Sequence, residues 1–200
     1  MIIDRDFRLY PAALDPEAQR ALVETVLAAV EATAPLRHGE TPGGRRMSVA
    51  MSNLGPLGWV TDGRGYRYQA TDPLTGRPWP PMPAAVAALW PRFTGRDDAA
   101  DACLVNLYRD TAKMGLHQDK DEQDLTAPVV SVSLGDTALF RIGGASRRDP
   151  SRTVRLTSGD VCVLDGAARM AFHGVDRVLA GSSRLIPGGG RLNLTLRRAG

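Results

Sequence analysis

Lysine and histidine are scarce in this sequence. Of its 25 basic residues, only Lys113 and Lys120 are lysines, and the formal net charge is +3. Arginine suits planar and phosphate contacts better than lysine does. However, an arginine-rich composition also arises in a GC-rich genome without any functional reason. Composition alone therefore identifies no partner.

Cysteine and long apolar runs are scarce as well. Cys103 and Cys162 lie in apolar, strand-like runs without Cys-x-x-Cys spacing, which predicts buried, reduced thiols rather than a disulfide or a zinc site. No run approaches the length of a membrane span, and residues 1–6 lack the basic start and apolar stretch of a signal peptide. We therefore expect a cytoplasmic protein that does not bind membranes.

The 200 residues have the size of one domain, 1–200, which we expect to be monomeric. Asp15 and Pro16 predict a helix that ends near Ala34, and residues 84–93 predict a shorter one. Period-two alternation predicts seven strands, at 102–108, 129–134, 139–142, 153–156, 161–164, 170–173 and 192–196. This pattern predicts a mainly β fold with flanking helices, namely an antiparallel sandwich or jelly roll.

Residues 37–81 differ in character from the rest. They are rich in glycine and proline, and Asp62-Gly63 predicts a hairpin turn. Six arginines alternate here with Trp59, Tyr66, Tyr68 and Trp79. Cations with aromatic faces are typical of a nucleic-acid surface. Aromatic side chains that pack on one another are the more frequent explanation, and composition leaves both open.

A metal site is indicated by the run from Leu116 to Glu122. His117 and Asp119 are two residues apart, so an extended segment places both side chains on one side, near enough to share an ion. His173 is the preferred third ligand, because the other histidine, His38, lies in a loop rich in glycine and proline. Two imidazoles and one carboxylate favour ferrous iron over a closed zinc site. The alternative is that His117 and Asp119 form an ion pair in a loop and that His173 is packed in the core.

Polar side chains recur on one side of several predicted strands. In the last strand they are Arg191, Asn193, Thr195 and Arg197, opposite three leucines. Asn106 and Tyr108 share a face in the first strand of the core, and Ser131 and Ser133 repeat the pattern. The same pattern would arise if the polar sides of these strands faced solvent. Polar groups on several strands also suit a barrel whose interior holds a small polar ligand.

Several stretches together resemble the AlkB family of iron- and 2-oxoglutarate-dependent dioxygenases, which remove alkyl groups from nucleobases. The resemblance covers roughly residues 20–200. The matching stretches are 41–44, 47–51, 57–59, 101–104, 116–122, 127–128, 131–135 and 191–197.

The resemblance implies a double-stranded β-helix, the cupin-like jelly roll, at residues 101–200, with residues 37–81 as a nucleotide-recognition lid. It implies Fe(II) bound by His117, Asp119 and His173, with 2-oxoglutarate and O2 as co-substrates. Arg191 would pair with the far carboxylate of 2-oxoglutarate. The rest of that pocket would be Asn106, Tyr108, Asn193 and Arg197.

The implied substrates are 1-methyladenine and 3-methylcytosine in single-stranded DNA, with double-stranded DNA and RNA as further substrates. Demethylation would release formaldehyde and succinate. Methylation makes these bases cationic, so Trp59 and His117 would sandwich the base and Asp121 would accept from its exocyclic amine. Met51, Tyr66 and Arg147 resemble the family's other substrate-side residues.

This sequence departs from the family at several positions. Leu164 stands where the Escherichia-type protein has tryptophan, Arg45 replaces a tyrosine in the lid, and residues 184–190 differ in sequence and spacing. For substrate range and product exit, the resemblance therefore gives no expectation. The same chemistry on a protein or small-molecule substrate is an alternative function, and a jelly-roll module that binds nucleic acid without turnover is another.

Overall fold

A computed structural model describes residues 2–4 and 6–200, with side chains from residue 6 onward. Strands predominate. They are β1 Ile2–Asp4, β2 Phe7–Tyr10, β3 Arg37–Glu40, β4 Arg46–Leu54, β5 Gly58–Asp62, β6 Gly65–Gln69, β7 Ala102–Tyr108, β8 Met114–His117, β9 Val129–Gly135, β10 Thr137–Ile142, β11 Arg152–Leu156, β12 Val161–Leu164, β13 His173–Leu179 and β14 Arg191–Arg197. The helices are α1 Pro16–Thr33, α2 Ala84–Ala87 and α3 Leu89–Thr94, with a 3-10 turn at Gly166–Ala168.

The strands form two large sheets. One has eight strands in the order β1-β2-β12-β9-β14-β7-β4-β3, and the other has four in the order β11-β10-β13-β8. The pairs within them are antiparallel. A separate hairpin, β5–β6, forms its own two-stranded sheet. Many short antiparallel strands in two facing sheets are the architecture of a jelly roll, which confirms the predicted fold class.

The eight-stranded sheet has a hydrophobic layer on each face. One face packs on α1 and α3, where Val26 and Trp90 are fully buried with Leu194. The opposite face joins a second cluster that includes Tyr108 from this sheet and Phe140 from the four-stranded sheet. Helix α1 begins as predicted, because the Asp15 carboxylate accepts a hydrogen bond from the amide of Ala18 at 2.8 Å.

The structure corrects some element boundaries. Strands β7 and β12 match the prediction, but the strand predicted at 170–173 begins only at His173. Met170 lies in a turn closed by the hydrogen bond from the amide of Ala171 to the carbonyl of Ala168, and residues 171–172 belong to no strand. Strands β3 and β8 were not predicted, and the helix expected at 84–93 is two short helices that meet at Ala88. No helix among the described residues is long and apolar enough to cross a membrane.

Candidate active site

The predicted metal ligands meet at one point. His117 ends β8 and His173 begins β13, and the two residues are direct partners in the antiparallel pair. Their ring centroids lie 4.5 Å apart. Asp119 follows β8 by two residues, and its two carboxylate oxygens lie 3.7 Å from the Nε2 atoms of the two histidines. The donor atoms of the three residues lie within 4.8 Å of one another.

Each imidazole is oriented by a backbone carbonyl. Nδ1 of His117 lies 2.9 Å from the carbonyl of Gly115, and Nδ1 of His173 lies 2.9 Å from that of Ala171. A carbonyl only accepts, so Nδ1 carries a proton in both rings and Nε2 is the nitrogen left for a metal. This arrangement orients histidine for metal ligation.

Charge favours metal binding too. Burial alone would raise the pKa of Asp119, but Arg197 and the two imidazoles hold that pKa well below the usual range of a carboxyl. Burial, with His117 nearby, lowers the pKa of His173 to about 4. At neutral pH the cluster therefore offers a carboxylate and a neutral His173. The donor set, two nitrogens and one carboxylate, fits ferrous iron with positions left for small ligands.

The cluster opens into a cavity of about 490 Å³ between the sheets. The polar side of β14, namely Arg191, Asn193, Thr195 and Arg197, lines this cavity, while its leucines enter the hydrophobic layer under α1. Asn106 and Tyr108 face the same space from β7. The alternation in the sequence thus predicts which side of these strands faces the cavity.

Arg191 is a buried cation in the wall of the cavity. It is 1% exposed, and its Nη2 donates to Oγ of Ser133 at 3.1 Å. Its Nε and Nη1 atoms have no hydrogen-bond partner among the described residues. Buried N–H groups without a partner are costly, so this guanidinium fits a ligand carboxylate, as 2-oxoglutarate would supply. The carbonyl oxygen of the Asn106 side chain likewise lacks a partner within the described chain.

Asn193 and Tyr108 shape the pocket around Arg191. The Asn193 amide donates to Oγ of Ser131 at 2.8 Å and to the carbonyl of Val132 at 2.9 Å. The guanidinium carbon of Arg191 lies 5.9 Å from the ring centroid of Tyr108. Burial raises the pKa of the Tyr108 phenol to about 12, so it remains a neutral donor.

The hairpin β5–β6 places aromatic side chains at the mouth of the cavity. Trp59 and Tyr66 stack with centroids 5.5 Å apart. The indole of Trp59 donates to Oδ2 of Asp121 at 2.8 Å. Met51, Trp59, Tyr66, Asp121 and Arg147 all line the cavity, and the guanidinium of Arg147 lies over Phe172 at 5.0 Å. All five predicted substrate-side residues are therefore brought together.

Sequence reasoning missed a buried ionic network beneath the cluster. Glu122, which had no predicted role, is 7% exposed and contacts Arg169, Arg197 and Tyr68. Arg169 also donates to the carbonyls of Ala127 at 2.7 Å and Asp119 at 2.6 Å. The available signal was Arg169 itself, a lone cation in a stretch of small and apolar residues.

Comparison with known proteins agrees with this geometry. Residues 6–197 match the model of the 2OG-Fe(II) oxygenase superfamily. The chain is 62% identical over 193 residues to the alpha-ketoglutarate-dependent dioxygenase AlkB homolog of Caulobacter vibrioides, covering 96% of this chain and 87% of that protein. The chain therefore belongs to the 2OG-Fe(II) oxygenase superfamily and, within it, to the AlkB dioxygenases. As the superfamily requires, it is an enzyme that depends on Fe(II), 2-oxoglutarate and O2.

Two further relatives extend the comparison. A solved structure described as "The structure of OsALKBH1" superimposes with a TM-score of 0.82 at 28% identity and covers 99% of both chains. The DNA N(6)-methyladenine demethylase ALKBH1C of Arabidopsis thaliana is 43% identical over 110 residues, which cover 49% of this chain and 24% of that protein. The solved structure thus shares the fold of this chain. The Arabidopsis relative carries the name of a nucleic-acid demethylase.

Proposed function

We propose that this enzyme removes N-alkyl groups from nucleobases, with 1-methyladenine and 3-methylcytosine as its substrates. The observation that carries the proposal is that His117, Asp119 and His173 open into the same cavity as the unpartnered N–H groups of Arg191. In this proposal the three clustered side chains hold Fe(II). Arg191 binds the far carboxylate of 2-oxoglutarate, and Asn106, Tyr108, Asn193 and Arg197 complete its pocket.

The protein side chains bind and orient; none acts as a nucleophile. When bound, iron and 2-oxoglutarate use O2 to oxidise the N-methyl carbon to formaldehyde, with succinate and CO2 as the other products. Arg191 would fix the co-substrate by charge-assisted hydrogen bonds from its buried guanidinium. Arg197 donates to Oδ2 of Asp119 at 2.9 Å and holds this carboxylate in place toward the histidines. Such positioning contributes most of what a protein adds to cofactor chemistry.

Residues at the cavity mouth support a nucleobase substrate. A methylated base is cationic, and the cavity mouth offers aromatic faces from Trp59 and Tyr66 beside the Asp121 carboxylate. We assign the base to a position between Trp59 and His117, with Asp121 accepting from its exocyclic amine. Met51 contributes apolar contact, and Arg147 supplies a cation for the nucleic-acid backbone. The name of the Arabidopsis relative supports the same substrate class.

We also propose how the chain is organised and where it acts. Residues 1–200 form one domain, with residues 37–81 as the nucleotide-recognition lid and 101–200 as the catalytic β-helix. The separate β5–β6 sheet supports the lid assignment. Single-stranded DNA is the preferred substrate, since a damaged base costs least to extract from an unpaired strand. A monomer in the cytoplasm completes the proposal, and the two free cysteines agree with a reducing compartment.

The test is formaldehyde release from an oligonucleotide that contains 3-methylcytosine. Release should require iron and 2-oxoglutarate, and it should disappear in Asp119→Ala. Asp97→Ala is the matched control, because Asp97 is exposed and is not among the residues that line the cavity. DNA and RNA oligonucleotides, single- and double-stranded, should be compared in parallel. If the enzyme turns over 2-oxoglutarate but no methylated oligonucleotide stimulates this turnover, a protein or small-molecule substrate is favoured instead.

A further inference from the structure

The outer face of the four-stranded sheet carries three arginines. Along β10, the half-buried Leu139 and Arg141 alternate with buried residues, and the buried Phe140 lines the cavity. Because successive residues of a strand point to opposite faces, Leu139 and Arg141 lie on the side away from the cavity. Leu139 pairs with Arg155 of β11 and with Arg177 of β13, and directly paired residues share a face. Arg141, Arg155 and Arg177 therefore share this outer face.

The strand pairing also gives the spacing of these cations. Neighbouring strands lie about 4.8 Å apart, so the backbones of Arg155 and Arg177, on either side of β10, are separated by about 10 Å. Arg141 is two residues beyond Leu139, which is about 7 Å along the strand. Three long side chains at this spacing can contact an extended polyanion at successive points, which a single small anion cannot provide.

Acidic groups neutralise only part of this charge. One acidic side chain, Asp176, bonds to this set: its carboxylate accepts from Nε of Arg141 at 2.8 Å and from Nη2 of Arg141 at 2.7 Å. Arg155 and Arg177 are exposed, and neither forms a hydrogen bond or an ion pair with a described residue. Two guanidinium groups on the outer face are therefore available to an anion from outside.

A cleft connects the outer face with the cavity. Its volume is about 480 Å³, and its charged lining residues include Lys113, Arg141 and Asp176. The residues that line both the cleft and the cavity are Met114, Gly115, Leu116, Arg147 and Val175. Strand β8 lies at the end of its sheet, so the cleft runs beside an edge strand. A chain can thus pass from the cavity, through the cleft, to the outer face.

A solvated sheet face is the simpler explanation for exposed arginines. Surface charges of soluble proteins are usually mixed in sign, whereas here cations follow one another from Arg147 through the cleft to Arg155 and Arg177. Nucleic acid is a polyanion, and the cavity is proposed to hold one of its bases. Charge complementarity and continuity with the cavity therefore favour the strand that carries this base as the occupant of the outer face.

We propose that the outer face of the four-stranded sheet, together with the cleft beside β8, binds the phosphate backbone of the single strand that carries the target base. The inference rests on the proposed function and extends the bound region well beyond that base. Four strands are about 15 Å wide, which corresponds to about four nucleotides at a rise of 3.4 Å. Phosphate contacts position a strand without reading its sequence, so long single strands should bind more tightly than short ones whatever their flanking sequence.

The salt dependence of DNA binding tests this proposal, in protein loaded with 2-oxoglutarate and with Mn(II), which binds without turnover. Two fluorescent single strands carry 3-methylcytosine at the centre: a three-nucleotide probe, too short to reach the outer face, and a fifteen-nucleotide probe. In the double variant Arg155→Gln with Arg177→Gln, the slope of log Kd against log salt for the long probe should fall by about 1.4, because each phosphate contact of a single strand contributes about 0.7. The Kd for the long probe at about 0.1 M salt should rise roughly twentyfold, and the slope for the short probe should not change.

Arg20→Gln with Arg92→Gln is the matched control. It removes the same two charges from exposed positions on α1 and α3, which pack on the other sheet, so the slope for the long probe should be unchanged. The proposal is overturned if the variant at Arg155 and Arg177 keeps the slope of the unmodified protein. An equal loss in the control would also overturn it, since net charge would then explain the effect. Vesicles of phosphatidylserine that bind the unmodified protein but not this variant, at an unchanged DNA slope, would identify a membrane surface as the partner instead.

Formaldehyde release separates this inference from the proposed function. If the unmodified protein releases no formaldehyde while the slope for the long probe still depends on Arg155 and Arg177, the proposed reaction is wrong and the outer face remains a strand-binding surface. If formaldehyde is released and the slope does not depend on these two residues, the reaction stands and the role of the outer face is refuted.

Discussion

His117 and His173 face each other across the antiparallel pair of β8 and β13, with ring centroids 4.5 Å apart. The pairing of these two strands brings together two residues that are distant in the sequence, and Asp119 completes the cluster.

Replacement of one member of this pair should abolish metal binding. We expect His173→Ala to lose measurable Mn(II) binding by calorimetry, since a buried ligand with a free Nε2 is removed. His38→Ala is the control: His38 is exposed, and its Nδ1 atom lies 2.9 Å from the carbonyl of Met47. Equal Mn(II) affinities for the two variants would refute the ligand set.

Arg191→Lys should weaken 2-oxoglutarate binding despite its conserved charge. An ammonium cannot reproduce the several fixed N–H donors that a planar guanidinium presents to a carboxylate. A loss of about 2 kcal/mol, typical of a hydrogen bond to a charged group, corresponds to a roughly thirtyfold rise in the KM for 2-oxoglutarate. The exposed Arg155→Lys on β11 should leave this KM unchanged. A KM for Arg191→Lys that matches the control would contradict the assignment.

Gly174→Ala should disturb the metal site without touching a ligand. A Cβ atom at Gly174 would lie 2.6 Å from the carbonyl oxygen of Met114 and 2.8 Å from that of Gly115, so β8 must move away from β13. We expect Mn(II) affinity to fall roughly tenfold, since ligands displaced by about 1 Å lose function on this scale. Gly143→Ala, whose Cβ meets its nearest atom at 3.4 Å, is the control. Unchanged affinity in Gly174→Ala would show that the pairing tolerates displacement.

Leu164→Trp should destabilise the protein, although tryptophan stands there in the Escherichia-type sequence. Leu164 is 2% exposed and shares its cluster with Phe7 and Phe140, which stack with centroids 6.1 Å apart. Leu164 also borders the cavity, but a larger ring would press on these two phenylalanines, and overpacking costs about 1–3 kcal/mol, which urea denaturation would detect. Leu74→Trp, at a position that is 74% exposed, is the matched control. No loss of stability would mean that the cavity beside Leu164 accepts the larger ring.

The two thiols should be inert in the folded protein. Burial raises the pKa of Cys103 to about 12 and that of Cys162 to about 11. The reactive thiolate is thus almost absent at pH 8, and it would form only as the pH rises toward these values. Iodoacetamide at pH 8 should label neither cysteine before denaturation and both afterwards. Labelling of the native protein would contradict this burial.

Much of the fold can be read from alternation along the chain. The exact bounds of β7 and β12 follow from short apolar runs between turn residues. In β14, arginine, asparagine and threonine alternate with leucine, which distinguishes the polar side of the strand from its apolar side. Strand β8 escaped prediction because it has four residues, one of them glycine. Its extended conformation depends on pairing with β13, which no local signal encodes.

The ionic network illustrates a second limit. Asp119 was predicted from its spacing to His117, a relation within one short segment. Glu122 was left without a role because its burial depends on Tyr68, Arg169 and Arg197, which approach it from distant parts of the chain. The sequence places a carboxylate at this position, but only tertiary packing determines which cations and donors surround it.

Strand β8 has a further consequence, for solubility. It lies at the end of the order β11-β10-β13-β8, so one of its edges has no neighbour within that sheet. Open strand edges invite pairing with other chains. The proposed iron would be bound by His117 on this edge strand and by His173 on the adjacent strand. The bound ion would therefore also hold β8 against β13. Prolonged chelation should therefore promote self-association, which light scattering would detect.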